Sequence, residues 1–346
     1  MTQIRTAIVG FGLSGQIFHE PALAANPAFE IRAVVTSSHK RSTVARARGY
    51  DVVASLDALL DGSRDLDLVV VATPPATHID SVSVALSHGL NVVTDKPFAT
   101  SVRACETMID MAKSAGRRLF VYQNRRWDGD FLTLRKVLAD GALGSIFRFE
   151  SSMEKFSGAR LRAPWQEGVG RAEGGGVIFD LGSHLVDQAL QLFGPARLMS
   201  AHESHVFPGR SSEDDAALSL LHASGVRTHL SMSRSARAAP ARFRVLGTEG
   251  AFVVAEADGQ EDYIKAGGAV TDSAYGVTSE RDWGVLTTSG GTRRVPTERG
   301  AYPDFYRGVA EAIVNGTPGP TDPVESLEAI RIIDAAHGLF ISQAAK

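Results

Sequence analysis

Ile4-Arg5-Thr6-Ala7-Ile8-Val9-Gly10-Phe11-Gly12-Leu13-Ser14-Gly15, near the start of the 346-residue chain, passes from an apolar strand through a glycine-rich turn into a helical stretch from Gln16. The spacing is G-x-G-x-x-G, and the strand before it and the helix after it are the context in which that spacing carries a mechanism. The first glycine permits a tight turn, the second lets backbone approach a pyrophosphate, and the third lets helix and strand pack closely. Free amides at the positive end of the helix would then meet the phosphates. Gly10, Phe11, Gly12, Leu13, Ser14 and Gly15 are therefore the candidate cradle for a dinucleotide.

Alternating strands and helices continue for the first third of the chain. The strand Glu30 to Val35 ends at Thr36-Ser37-Ser38-His39-Lys40-Arg41. An NAD-preferring fold usually places a carboxylate there for the ribose 2′-hydroxyl. Here hydroxyls and two cations stand instead, which suits a 2′-phosphate and favours NADP over NAD, with Thr36, Ser37, Ser38, Lys40 and Arg41 as candidate contacts. The alternative is that Lys40 and Arg41 only solvate the first turn of a helix. Leu66 to Ala72 reads as a central parallel strand. It ends at Thr73-Pro74-Pro75, with His78 just beyond, where such sheets bind their ligands. After a helix from about Ala76 to His88, the strand Asn91 to Thr94 leads to Asp95-Lys96-Pro97, which places a lysine in a turn facing the cofactor crevice. Helix Val102 to Ser114 and strand Arg118 to Tyr122 complete a six-stranded doubly wound domain over residues 1–123.

Residues 124–346 read as a second domain. Asn124 to Asp130 is a linker, with Asp130 as the expected N-cap of a helix Phe131 to Ala139. Gly174-Gly175-Gly176 then precedes a helix from Asp180 to Phe193. Asp180 and His184 share one face of it, about 6 Å apart, so that an acid and an imidazole can converge on one hydroxyl. Asp180 as a simple cap and His184 as a satisfied core histidine form the competing account. Five β-like runs follow without helices between them, at Leu198 to Val206, Ala216 to His222, Thr228 to Ser233, Phe243 to Gly247 and Ala251 to Ala255. They predict an open, mainly antiparallel sheet whose free face suits a partner subunit. Gly259 to Gly300 reads as hairpins and loops, and a last helix over about 323–343 is expected to return toward the first domain.

Composition bounds the function. A net charge of −3 with no basic stripe argues against nucleic acid, and no apolar run is long enough to span a membrane. The single cysteine, Cys105, suits a reducing compartment, and the expectation is a cytoplasmic protein with no metal centre.

The glycine fingerprint, the Asp95-Lys96-Pro97 turn and the Asp180, His184, Asp187 helix together resemble the Gfo/Idh/MocA oxidoreductases over nearly the whole chain. That family usually has Glu-Lys-Pro, so Asp95 is a conservative departure that keeps the lysine. Phe18-His19 with Pro21, Val121 to Asp128, and Asp180-Leu181-Gly182-Ser183-His184 are similar to the NADP-dependent scyllo-inositol dehydrogenase branch. The resemblance implies a Rossmann domain plus an α/β domain whose open sheet forms homodimers or homotetramers. It also implies Lys96, Asp180 and His184 as a catalytic trio acting on a polyol or sugar. In that scheme His184 is the general base, Lys96 polarises the reacting oxygen and Asp180 binds a hydroxyl. Asp187 orients His184 or is purely structural. Asn124, Arg126 and Trp165 are candidates for the substrate pocket alongside Asp180 and His184, each with an ordinary packing or capping role as its alternative. Left open are an aldose or keto-sugar dehydrogenase, a non-catalytic NADP-binding sensor and a glycosidase using nicotinamide transiently.

Overall fold

In a computed structural model, residues 3–61, 65–157 and 168–344 are described. They divide into two compact units. The first holds residues 1–124, 260–275 and 301–327, and the second holds 125–259, 276–300 and 328–346.

Six parallel strands form the sheet of the first unit: β1 (Ile4–Val9), β2 (Phe29–Val35), β3 (Asp51–Val53), β4 (Leu68–Val71), β5 (Asn91–Asp95) and β6 (Leu119–Tyr122). Their order is β3-β2-β1-β4-β5-β6, so the direction of winding reverses between β1 and β4, the position where such sheets hold nucleotides. Strands covered on both faces must be apolar throughout, and every residue of Leu68-Val69-Val70-Val71 is fully buried. The helix Val102–Ala115 covers its part of the sheet with Cys105, Met108, Ile109 and Ala112, the spacing of one helical face. Ser101 caps its start by accepting from Ala104 N at 3.3 Å, and Gly116 at φ +61° ends it.

Eight further strands form the sheet of the second unit: β7 (Ile146–Glu154), β8 (Ala196–Ser204), β9 (Asp215–His222), β10 (Arg227–Ser233), β11 (Phe243–Gly247), β12 (Gly250–Val254), β13 (Gly284–Thr288) and β14 (Gly291–Val295). Their order is β14-β13-β12-β11-β7-β10-β9-β8, and only the β7–β10 pair is parallel. The sheet is thus mainly antiparallel, as expected. Its middle strand β7 has no counterpart in the sequence reading, because Arg148, Glu150, Ser151, Ser152 and Glu154 dilute the apolar pattern. On the covered face Phe149 of β7 stacks on Phe243 at 5.8 Å and meets Phe193 at 5.2 Å. The helix Ser183–Phe193 buries Leu185, Val186 and Ala189. Phe147 of β7 and Met199 of β8 are half exposed.

Two local features depart from the sequence reading. The helix that follows the linker is Gly129–Ala139 with Asp128 at its N-cap. Its first amide, Gly129 N, donates to Asp258 at 2.7 Å, while Asp130 is buried inside the helix, its carboxyl pushed up to about 7 by burial and by Asp128. The segment after Gly259 contributes the helix Gln260–Lys265 to the first unit as well as the β13–β14 hairpin to the second. The last helix, Pro323–Ala344, begins in the first unit and passes into the second after Leu327.

Phe149 is fully buried between two other rings, so Phe149→Ala is expected to cost about 3–5 kcal/mol of stability. Urea denaturation measures it, and a loss under about 1 kcal/mol would mean that the ring is not part of a packed core.

Candidate active site

At the carboxyl end of β1 the chain makes its closest backbone approach. Gly10 has φ +93°, and a Cβ there would lie 2.5 Å from the Ala72 carbonyl at the end of β4. A Cβ on Gly15 would lie 2.4 Å from the Gly10 carbonyl. Neither position tolerates a side chain, so the turn and the following helix start are held tightly against the sheet. The helix includes a π turn, Gly15–His19. Phe11 points into the core and offers only backbone, whereas Leu13 is about half exposed.

The rest of the candidate nucleotide site lies at the ends of β2, β4 and β5. Thr36 is buried and its hydroxyl accepts from Ser38 N at 3.3 Å. Ser38 caps the helix His39–Ala47, and Ser37, Lys40 and Arg41 are exposed. The Arg41 guanidinium lies along the glycine turn, 3.7 Å from where a Gly12 Cβ would be. Thr73, Pro74 and Pro75 line the turn after β4. His78 does not join them as a ligand contact. Its fully buried ring sits 2.9 Å from the Thr73 carbonyl and 3.2 Å from the Phe98 carbonyl, so it ties the two turns together from behind. Burial depresses its pKa, against the opposing pull of Asp95 and the backbone hydrogen bonds.

Asp95 joins the lysine turn to the glycine helix. Its Oδ1 accepts from Lys96 N at 2.7 Å, and its Oδ2 faces His19 Nε2 at 3.6 Å. His19 Nδ1 is 2.6 Å from the Tyr306 hydroxyl. Burial alone would raise the Asp95 carboxyl, but the hydrogen bond and charge of His19, the Ser14 hydroxyl and the Lys96 ammonium together hold it below the usual carboxylate range. Lys96 itself is partly exposed, and the Lys96–Pro97 bond is cis. Asn124 is buried at the end of this unit.

In the second unit Asp180 lies within a π turn, Ile178–Gly182, that runs directly into the helix Ser183–Phe193. Single π turns inside helices are frequent at functional sites. Asp180 is about a third exposed and pairs with the Arg234 guanidinium, while His184 is buried. Asp187 is engaged by an arginine. Both its oxygens accept from Arg126, at 2.7 and 2.9 Å, in a buried fork-to-fork pair. Trp165 lies outside the described residues.

The glycines before this helix make room for a carboxylate. A Cβ on Gly176, at φ +97°, would collide with Glu213 at 2.1 Å. Glu213 Oε1 accepts from Ile178 N at 3.0 Å, so it caps the first turn of the helix that carries Asp180 and His184. Neither Glu213 nor Arg234 was visible in the sequence reading. They lie 35 and 54 residues from the groups they hold, with no local motif around them. Among the described residues no cluster suited to a metal ion occurs, and no helix is long and apolar enough to cross a membrane.

A doubly wound sheet with a glycine turn at its switch point, followed by a mixed sheet bearing an acid–histidine helix, is the architecture of a nucleotide-dependent oxidoreductase. Residues 4–123 match the oxidoreductase family with the NAD-binding Rossmann fold, and residues 131–253 match the GFO/IDH/MocA C-terminal domain. The scyllo-inositol 2-dehydrogenase (NADP(+)) IolW of Bacillus subtilis is 32% identical over 96% of this chain and 92% of its own. D-apiose dehydrogenase of Paraburkholderia graminis is 31% identical over 61% of this chain and 55% of its own. Among solved structures, the oxidoreductase yvaA of Bacillus subtilis superimposes with a TM-score of 0.90 at 31% identity, covering 97% of this chain and 95% of its own. The chain belongs to the Gfo/Idh/MocA family of NAD(P)-binding oxidoreductases.

Burial pushes the Glu213 carboxyl up to about 7, outweighing the Ile178 amide and Arg171, which favour its charge. A carboxyl raised in the folded protein contributes stability that is fully present below its ordinary value of 4.5 and is lost as pH rises through about 7. Between about pH 5 and 8 the melting temperature of the wild type should therefore fall more steeply than that of Glu213→Gln. Parallel slopes would remove Glu213 as the titrating group.

Proposed function

We propose that the protein transfers hydride between NADP and a secondary alcohol of a cyclic polyol or sugar, with scyllo-inositol and its inosose ketone as the first pair to test. What carries this reading is the placement of Asp180 and His184 on a helix that opens with a π turn. The likeness to a scyllo-inositol 2-dehydrogenase along 96% of the chain supports the choice of substrate.

The glycine turn fits a dinucleotide, because the space a Cβ would fill at Gly10 and Gly15 is closed by backbone, which supports a turn tight enough for a pyrophosphate to approach the main chain. Gly10 to Gly15, Thr36 to Ser38, the Thr73 to Pro75 turn and the Asp95-Lys96-Pro97 turn would hold it. Lys40 and Arg41 would meet a 2′-phosphate, and the approach of Arg41 to Gly12 supports NADP over NAD. When bound, the nicotinamide supplies the hydride acceptor for oxidation and the donor for reduction.

The chain's own groups handle the proton and the developing charge. His184 takes the hydroxyl proton in oxidation and returns it in reduction, a role suited to imidazole near neutral pH. The Lys96 ammonium stabilises negative charge on the reacting oxygen. Asp180, paired with Arg234, accepts from a substrate hydroxyl. The half-exposed Phe147 and Met199 on the eight-stranded sheet suit a homodimer or homotetramer formed through that sheet, in the cytoplasm.

His184→Ala should abolish turnover at neutral pH while leaving NADP affinity nearly intact. Reduced-nicotinamide absorbance with scyllo-inositol, other inositols and aldoses measures turnover, and a protein fluorescence titration measures binding. Turnover in the variant removes His184 from the mechanism, and a wild-type preference for an aldose keeps the mechanism and changes the substrate. Replacing Lys40 and Arg41 with neutral residues should weaken NADP more than NAD, by roughly ten- to a hundredfold per lost contact at about 1.5–3 kcal/mol each. Equal losses for both nucleotides would contradict the 2′-phosphate assignment.

A further inference from the structure

Arg234 is a buried cation with only part of its hydrogen-bonding capacity used. It follows the last residue of β10, its backbone N donates to the Asp214 carbonyl at 2.8 Å, and its side chain is 7% exposed. Nη2 donates to Asp180 Oδ2. The neighbouring Nη1 is buried and has no hydrogen-bond partner among the described residues.

The approach of the strand to the π turn is what brings the two groups together. Gly182 leaves room for the Met232 thioether, which would sit 2.8 Å from a Cβ at that position. Arg234, two residues beyond Met232, then reaches the Asp180 carboxylate.

A buried donor left without an acceptor is rare in folded proteins, and where it persists a ligand is a natural complement. The guanidinium is planar and its two Nη groups are neighbours. The pair therefore presents an acceptor, the carboxylate, beside a donor, the Nη1 proton. Neutral hydroxyls, which both donate and accept, can satisfy both groups. One isolated alcohol meets only one of them. Two hydroxyls on adjacent carbons meet both, the first donating to Asp180 and the second accepting from Arg234.

We propose that Arg234 is a specificity-determining residue that binds the hydroxyl on the carbon next to the one held by Asp180, so that the substrate class is a vicinal diol. The inference rests on the reading of Asp180 as a hydroxyl-binding group in a polyol dehydrogenase.

The test compares wild type with Arg234→Lys, which keeps a cation beside Asp180 and replaces the two neighbouring Nη groups by a single nitrogen. The probes are scyllo-inositol, in which every carbon has a hydroxylated neighbour, and cyclohexane-1,3-diol, in which neither carbinol does. With NADP saturating, KM for scyllo-inositol and its calorimetric Kd should rise at least about tenfold in Arg234→Lys. kcat should change much less, and the loss with the 1,3-diol should be clearly smaller than the loss with scyllo-inositol. Thermal melting establishes that the variant is folded, and Arg234→Gln, with one NH2 group on a shorter side chain, provides a second route to the loss of the Nη1 position. Unchanged scyllo-inositol affinity in folded Arg234→Lys and Arg234→Gln overturns the inference and leaves the proposed function standing. A wild type that turns over neither polyol nor aldose overturns the proposed function, and the inference with it.

Discussion

A single buried carboxylate, Asp95, organises the nucleotide-binding unit. It holds the Lys96 amide on one oxygen and faces His19 with the other, and His19 in turn holds the Tyr306 hydroxyl. Four stretches of chain meet there: the glycine helix, the end of β5, the aromatic end of β6 at Tyr122 and the helix Pro303–Asn315. A carboxylate at this depth is tolerable only because its partners supply positive charge and donors in compensation. The same bonds fix where Lys96 leaves the sheet, so the position of a candidate functional lysine is a by-product of satisfying a buried acid.

The second unit solves a similar problem with different residues. The helix carrying Asp180 and His184 begins in a π turn, and its orphan amides need an acceptor. Glu213 provides one from a neighbouring strand connection, and glycine at 176 is what lets it come close enough. Arg234 then fixes the Asp180 carboxylate from the end of β10. In both units glycine acts by absence of volume, at Gly10 against a carbonyl and at Gly176 against a carboxylate.

How much of this was legible in the sequence follows from how local each signal is. The glycine turn, the Val-rich central strands and the capped helices announce themselves within a dozen residues, and they appear where their patterns place them. Asp180 and His184 are legible because they share one helix. Arg234, Glu213 and Tyr306 are not, because each acts on a group distant in sequence and carries no motif of its own. β7 escaped for another reason: its exposed face is charged enough to hide the alternation that its buried face keeps. Arg126, Asp187 and His78 were visible as polar residues in telling places, and all three are buried against partners within their own units.

The chain completes its first unit only with residues 301–327, after most of the second unit has been laid down. On a ribosome, the Rossmann strands through Tyr122 emerge long before Tyr306 exists to meet His19. At roughly 5–20 residues per second, that interval is on the order of ten seconds or more. During it the nascent sheet carries an aromatic cleft still lacking its own helix. A protein truncated anywhere before that helix would lack the piece that closes its nucleotide-binding half, even with every residue of the fingerprint present.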